Sequence, residues 1–469
     1  MKIRIVCGCL MLAVTTILYS AVNAETPAPG TPQPFKPDEK KIAKEIAQGY
    51  ERPPQFEAAN VLDAQYLTST DYTVDSVVHN DGAMNHFNIS SRFGSFYPGS
   101  QDMFEKRVKE IGALVILEKF TDSKVFLDAT AKAGGDVLLA PVNAVKTLVE
   151  AVADPEETWN VISGVPGGVM RLFRSVSDKI GAGVKSGRKA IVGDKKEKKS
   201  AEEQLADSAD VATKYALKHF GYNQSDKVRK WQEYLQIDPY TSNEPLQEKI
   251  ARIVAIENGV SIGFKFVPGV GGISFVSDAN KYYKLAKRLS LYDDPVELAK
   301  KAVNQLKAMG VDEETIKAFT TNPSLSPTCQ AIILDALKKL EMVEDRTSFV
   351  ASASGVLSYE GALFYVHSSR QLLTIQEKEK GLKRFIKGIR LPAVLHEKGS
   401  IILPMPVDYL TWSRDLDGAL TEVKKALPKK SKGAVLEVRV KGRVSALCQR
   451  KLAERKIRVV ERFNPPVGE

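Results

Sequence analysis

The sequence predicts a mainly α chain with α+β parts: an N-terminal β-hairpin, a multi-helix body and a small C-terminal α/β unit of order ββαβαβ. Three observations predict it. Apolar residues recur at helical spacing through most of the stretch from Gln101 to Val343. Alternating apolar and polar residues flank Asp81-Gly82, a pair suited to a two-residue hairpin turn. Near the end, "AVLEVRV" and "IRVVERF" read as strands separated by a helix that Ser445 caps, and strand–helix–strand with short connections implies a parallel pair.

The chain opens with "MKIRIVCGCLMLAVTTILYSAVNA". Lys2 and Arg4, the apolar run from Ile5 to Leu18 and the small residues before Glu25 form the pattern of a secretory signal over residues 1–24. The expected address is the periplasm, peripheral to a membrane at most, with no transmembrane span in the mature chain. Residues 25–60 read as a Pro-rich tether, "ETPAPGTPQPFKP", followed by a short charged helix. The expected divisions beyond are 61–345 for the hairpin and helical body, and 346–469 for a long helix plus the α/β unit.

In the hairpin, "YTVDSVVHNDGAMNHFNISSRFGSFY", the turn places Val74 opposite Ile89, Val78 opposite Asn85 and His79 opposite Met84. Asp75, His79 and His86 then share the more polar face. His79 and His86 would be diagonal neighbours ~7–8 Å apart. Two imidazoles and a carboxylate are the residue types that hold a metal, and they are equally the residues of a solvated outer face.

Several helices in the body start at a cap followed by proline: Asp154-Pro155, Asp294-Pro295 and Ser326-Pro327. In "VISGVPGGVMRLFRSVSDKIGAGVKSG", Gly164 ends one helix and Pro166 starts the next. Val165, Val169, Leu172, Phe173, Val176 and Ile180 gather on one side of that helix, facing either the protein's own core or a membrane surface. These glycines match neither GxxxxGK[ST] nor GxGxxG. A basic loop follows at Lys185–Lys199, and Val260–Val276 reads as a buried Gly-rich loop. From Thr347 a long helix is expected to run toward Lys387. A hairpin turning at Lys398-Gly399 and a helix after Ser413 lead into the last two strands.

Zinc signatures are missing: neither HExxH nor CxxC is present. The one GxSxG match, "GVSIG" at Gly259–Gly263, follows a helical pattern where a nucleophile elbow needs a strand, and the single SxxK, Ser186 to Lys189, falls in the basic loop. His219, His367 and His396 stand apart from any motif. "IDPYTSNEP", with Asp238, Tyr240, Thr241 and Asn243, reads as a chain of Asx and Ser/Thr turns. The helix after Ser445 offers an N-terminus that could receive an anion. No catalytic, cofactor-binding or metal-binding residue is assigned, and no cofactor is expected. Past the signal only Cys329 and Cys448 remain. Export permits a disulfide between them, whereas their helical settings favour two buried free thiols.

The chain carries 67 Lys+Arg against 57 Asp+Glu, and loss of Lys2 and Arg4 leaves a net +8. That balance suits a protein partner or an anionic membrane surface, and export argues against nucleic acid. Three stretches, "YTVDSVVHNDGAMNHFNISSRFGSFYPG", "LQIDPYTSNEPLQEKIARI" and "IILPMPVDYLTWS", resemble a family of predicted exported, hypothetical proteins of Gram-negative bacteria. The resemblance implies an envelope location and brings no catalytic residue with it. The leading expectation is a non-enzymatic envelope protein that binds a protein partner or lies against a membrane surface. The alternative is an envelope hydrolase whose site assembles only in the fold. Sequencing the N-terminus of protein recovered from the periplasmic fraction should read from Glu25. Uncleaved protein confined to the cytoplasm would end the export reading.

Overall fold

The computed structural model describes residues 33–133, 211–212, 225–259, 277–427 and 433–463. About half of the chain is helical, with a smaller share of strand, which is the mixed class that the periodicity predicts. The helix of Val165–Ile180, the caps at Asp154 and Pro166, the basic loop with Ser186 and Lys189, His219 and the Gly-rich Val260–Val276 all lie outside the described residues.

Helix α1 (Glu39–Ile46) is capped by Asp38 and lies against the far end of the chain. Lys41 pairs with Asp415 at 3.3 Å, and the backbone N–H of Glu51 donates to the Trp412 carbonyl. Six short strands follow: β1 (Gln55–Glu57), β2 (Tyr72–Val74), β3 (Val77–Asn80), β4 (Asn85–His86), β5 (Ile89–Ser91) and β6 (Gly94–Phe96). They form two antiparallel sheets, β1-β3-β4 and β2-β5-β6. Val74 stands opposite Ile89, but His79 pairs with His86 and Asn80 with Asn85. The expected pairing of Val78 with Asn85 and His79 with Met84 is therefore wrong by two residues. A type I′ turn needs φ > 0 at both centres, and of this pair only Gly82 has it. Asp81 instead accepts the N–H groups of Ala83 and Met84 through its side chain, which closes a loop of four residues.

Helix α2 (Gln101–Thr121) begins where Ser100 accepts the N–H of Met103. It buries Phe104 and Ile111 under the strands, and Leu117 and Phe120 against Trp231 and Leu246. The further helices are α3 (Lys124–Ala133), α4 (Asp226–Tyr234), α5 (Glu244–Gly259), α6 (Ser277–Arg288), α7 (Pro295–Ala308), α8 (Glu313–Thr320), α9 (Pro327–Lys339), α10 (Arg346–Ala353) and α11 (Tyr359–Lys378). Asp294 and Ser326 cap α7 and α9, each with proline in the first turn.

The single helix expected from Thr347 to Lys387 is broken twice. Ser358 caps a new helix, α11, by accepting the N–H of Gly361. Lys380 and Gly381 then both take positive φ, which ends α11 in the manner of a left-handed C-terminal turn. The chain emerges as strand β7 (Leu382–Phe385). With β8 (Val394–His396), β9 (Ile401–Met405), β11 (Leu436–Val440) and β13 (Ile457–Val460) it makes a five-stranded sheet of order β13-β11-β9-β8-β7. The sheet thus has one strand more than the four expected. β9, β11 and β13 are parallel, and β7 and β8 are antiparallel to their neighbours. Helix α12 (Arg414–Ala426) and helix α13 (Ala446–Glu454) form part of the connections between the parallel strands. A short parallel pair, β10 (Tyr409–Leu410) with β12 (Arg443–Val444), lies beyond them.

One apolar core runs from α7 through α9, α10 and α11 into this sheet, with Ile333, Leu337, Phe349, Tyr365, Ile402, Val438 and Leu452 among its buried members. Cys329 and Cys448 are free, buried thiols. No helix among the described residues is long and apolar enough to cross a membrane.

Gly442 lets two loops meet. A Cβ there would lie 1.8 Å from the Asp408 carbonyl oxygen, and the Gly442 N–H donates to the Val407 carbonyl at 2.9 Å. Gly442→Ala must push backbone apart and should cost about 3 kcal/mol or more. Gly418, inside α12 with nothing near its missing Cβ, should instead gain about 0.5–1 kcal/mol as alanine. Denaturant midpoints of the two variants moving the same way would refute this packing.

Candidate functional site at the start of α2

The chemistry-bearing residues converge where α2 begins. Asp408 follows β9 and Lys441 follows β11, two adjacent parallel strands whose carboxyl ends open at the same edge. That edge is where open α/β sheets take their ligands. One carboxylate oxygen of Asp408 accepts the backbone N–H groups of Asn85 and Gln101, each at 3.1 Å. Asp102, in the first turn of α2, takes Lys441 through Oδ2 and the His367 Nε2 at 3.2 Å. His367 comes from the middle of α11. His367 and Asp102 keep 22% and 30% of their side-chain surface in solvent, so this cluster is reachable.

The surroundings set the protonation states. Burial pushes Asp408 up to about 6, against the pull of Lys441. Burial likewise pushes His367 down to about 4, although Asp102 opposes it. Burial would raise Asp102 too, but Lys441, His367 and Arg370 outweigh it and hold that carboxyl well below the usual range. Lys441 is raised despite burial, because Asp102 and Asp408 both favour its charge.

A second group adjoins the first. The His86 Nε2 meets the Asp81 Oδ2 at 3.2 Å, and the Phe35 ring stacks on His86 with centroids 4.1 Å apart. Gly99 lies between His86 and Glu360. Glu360 is buried with its Oε2 unpartnered, and burial raises its pKa.

Further along α2, Lys106 donates to Asp238 at 2.8 Å and to the Tyr359 hydroxyl at 2.9 Å. Asp238 also accepts from Thr328 and from the Tyr240 N–H. Glu110 accepts from Thr241 and Asn243. The loop at Asp238–Asn243 therefore does contain an Asx turn, and it also supplies partners for two charges on α2.

The residues singled out on the hairpin do not assemble as expected. Asp75 accepts from the Asn88 side chain on the outside, while His79 and His86 are direct cross-strand partners. No group of three His, Cys, Asp or Glu able to hold a metal occurs among the described residues. His396 bonds the Lys380 carbonyl at 2.9 Å. His367, expected to stand alone, is the partner of Asp102. The helix start after Ser445 carries the protein's own anion: the Ser445 hydroxyl donates to Glu51. Asp102, His367, Asp408 and Lys441 escape sequence reading because each comes from a different element. The only local signal is Lys441-Gly442, a glycine directly after a strand.

The two shifted groups act in opposite directions. The folded state holds the Asp408 proton more tightly than the unfolded chain does, so stability falls as pH rises from about 4 to about 6. His367 is neutral in the fold, so its contribution is complete above its ordinary 6.5 and is lost as pH falls toward about 4. Each is worth on the order of 3 kcal/mol, and over the shared window they offset one another. Relative to wild type, His367→Gln should lose stability as pH rises from 4 to 6.5, and Asp408→Asn should gain it. Denaturation midpoints measured across that window check the signs; parallel profiles for all three proteins would remove this assignment.

No protein-family model, curated protein or solved structure matches the chain.

Proposed function

We propose that the protein is an exported component of the Gram-negative envelope that acts by binding a protein partner and not by catalysis. The observation that carries this reading is the commitment of the converging groups to one another. A general base works best with a pKa near the operating pH, and His367, held to about 4, is far from it. The Asp408 oxygen is tied to two backbone N–H groups, and Lys441 is neutralised by Asp102. Such a cluster fastens the N-terminal strands and α2 to the C-terminal sheet. Export rests on the pattern of residues 1–24, and the net positive charge suits a partner bearing carboxylates. The three-part arrangement of β-hairpin, helical body and C-terminal α/β unit belongs to the same proposal.

A second reading, an envelope hydrolase, draws on one feature: the largely buried Asp102–His367 pair, with an edge in solvent, at the carboxyl edge of parallel strands. The two separate in a direct assay. Purified protein would be incubated with murein sacculi, p-nitrophenyl esters, phosphate monoesters and casein, beside His367→Gln and Asp102→Asn. The binding reading expects wild type and variants to give the same background. Turnover by wild type that either substitution abolishes would overturn it.

A further inference from the structure

β13 pairs with β11 on one side only among the described residues. The unpaired side of a sheet is a row of backbone donors and acceptors, ready to accept another extended chain. Its flanks carry three exposed cations, while the two neighbouring carboxylates are already engaged, Glu461 by the Val444 N–H and the Gln449 side chain and Glu454 by Lys451. Lys456, Arg458 and Arg462 are exposed along or beside it, and Val459 and Val460 are half-buried between them. Arg458 keeps 70% of its side chain in solvent while reaching Glu437 at 3.3 Å.

We propose that β13 is a docking edge for an extended, acidic segment of a partner protein, which adds to the sheet as a sixth strand. This rests on the binding reading and gives the partner a place and a chemistry. Backbone pairing would supply affinity without regard to sequence, and the cations would select carboxylate-bearing chains. The same cations disfavour a second copy of this chain as occupant. A two-fold self-pair of β13 is antiparallel; centred on Arg458 it sets that residue opposite its own copy, and centred on Val459 it sets Lys456 opposite Arg462, and like charges directly opposite across strands are destabilising.

The competing explanation is that the strand is short and charged only to keep the sheet from aggregating. An octapeptide of alternating valine and glutamate, acetylated at its N-terminus, distinguishes the two when added to the full-length mature protein. Amide exchange at residues 457–460 should slow on addition of the peptide. Binding should weaken by about tenfold for Lys456→Glu/Arg462→Glu, which removes two exposed charge contacts, and should also weaken with added salt. The alternating valine–lysine peptide should leave exchange unchanged and keeps the test independent of the variant. Three outcomes would overturn the proposal: no protection at β13, protection indifferent to peptide charge, or self-association of the protein through β13 in sedimentation. The readout is backbone protection and not turnover, so this inference and the binding reading can fail separately.

Discussion

The Asp408 carboxylate accepts the N–H groups of Asn85 and Gln101, and the rest of the fold is arranged around that contact. Its residue sits just past β9, so the sheet fixes it from one side. Gln101 is the first residue of α2, whose leading N–H groups have no partner within the helix. A carboxylate placed there satisfies one of them and interacts favourably with the helix dipole. Asn85 opens β4, so the same oxygen also locates the small N-terminal sheets. The backbone of the Asp408 region adds to the join, since Asp408 and Tyr409 both donate to the Ala83 carbonyl. Gly442 is required because Asp408 is held so closely by the loop after β11.

Helix α2 carries this logic inward. Asp102, Lys106 and Glu110 recur every four residues and so lie along one face of the helix. Each has found partners outside α2: Lys441 and His367, then Asp238 and Tyr359, then Thr241 and Asn243. Breaking a buried ion pair by removing one partner leaves an uncompensated charge and costs about 3–5 kcal/mol. The network therefore penalises any packing of α2 that is rotated or shifted from the observed one. α11 serves the first two of these residues, with Tyr359 at its start against Lys106 and His367 two turns later against Asp102.

The caps were legible because they are local. Asp294-Pro295, Ser326-Pro327, Ser413 and Ser445 each start a helix through a hydrogen bond that spans two or three residues. The strand at Leu382–Phe385 was hidden because "LKRF" carries no alternation of its own, and its pairing with β8 decides its state. The register at His79 and His86 turned on whether Asp81 would adopt positive φ or accept backbone N–H groups through its side chain, and the fold uses the side chain. The site itself was the least legible part. Asp102, His367, Asp408 and Lys441 are spread across the chain, and no spacing rule connects a helix start, a helix middle and two strand ends.

Glu51 bonds the Trp412 N–H at 3.0 Å and the Ser445 hydroxyl, a residue 394 positions later. This clasp has a consequence for the order of folding. The entropy lost in closing so long a loop is shared with other contacts, because the pairing of β9 with β11 already holds the segments of Trp412 and Ser445 near one another in the fold. During synthesis from the N-terminus, the contacts of Lys41 and Glu51 with Asp415, Trp412 and Ser445 can form only after those residues have been made. The clasp can therefore close only when nearly the whole chain, up to Ser445, is present.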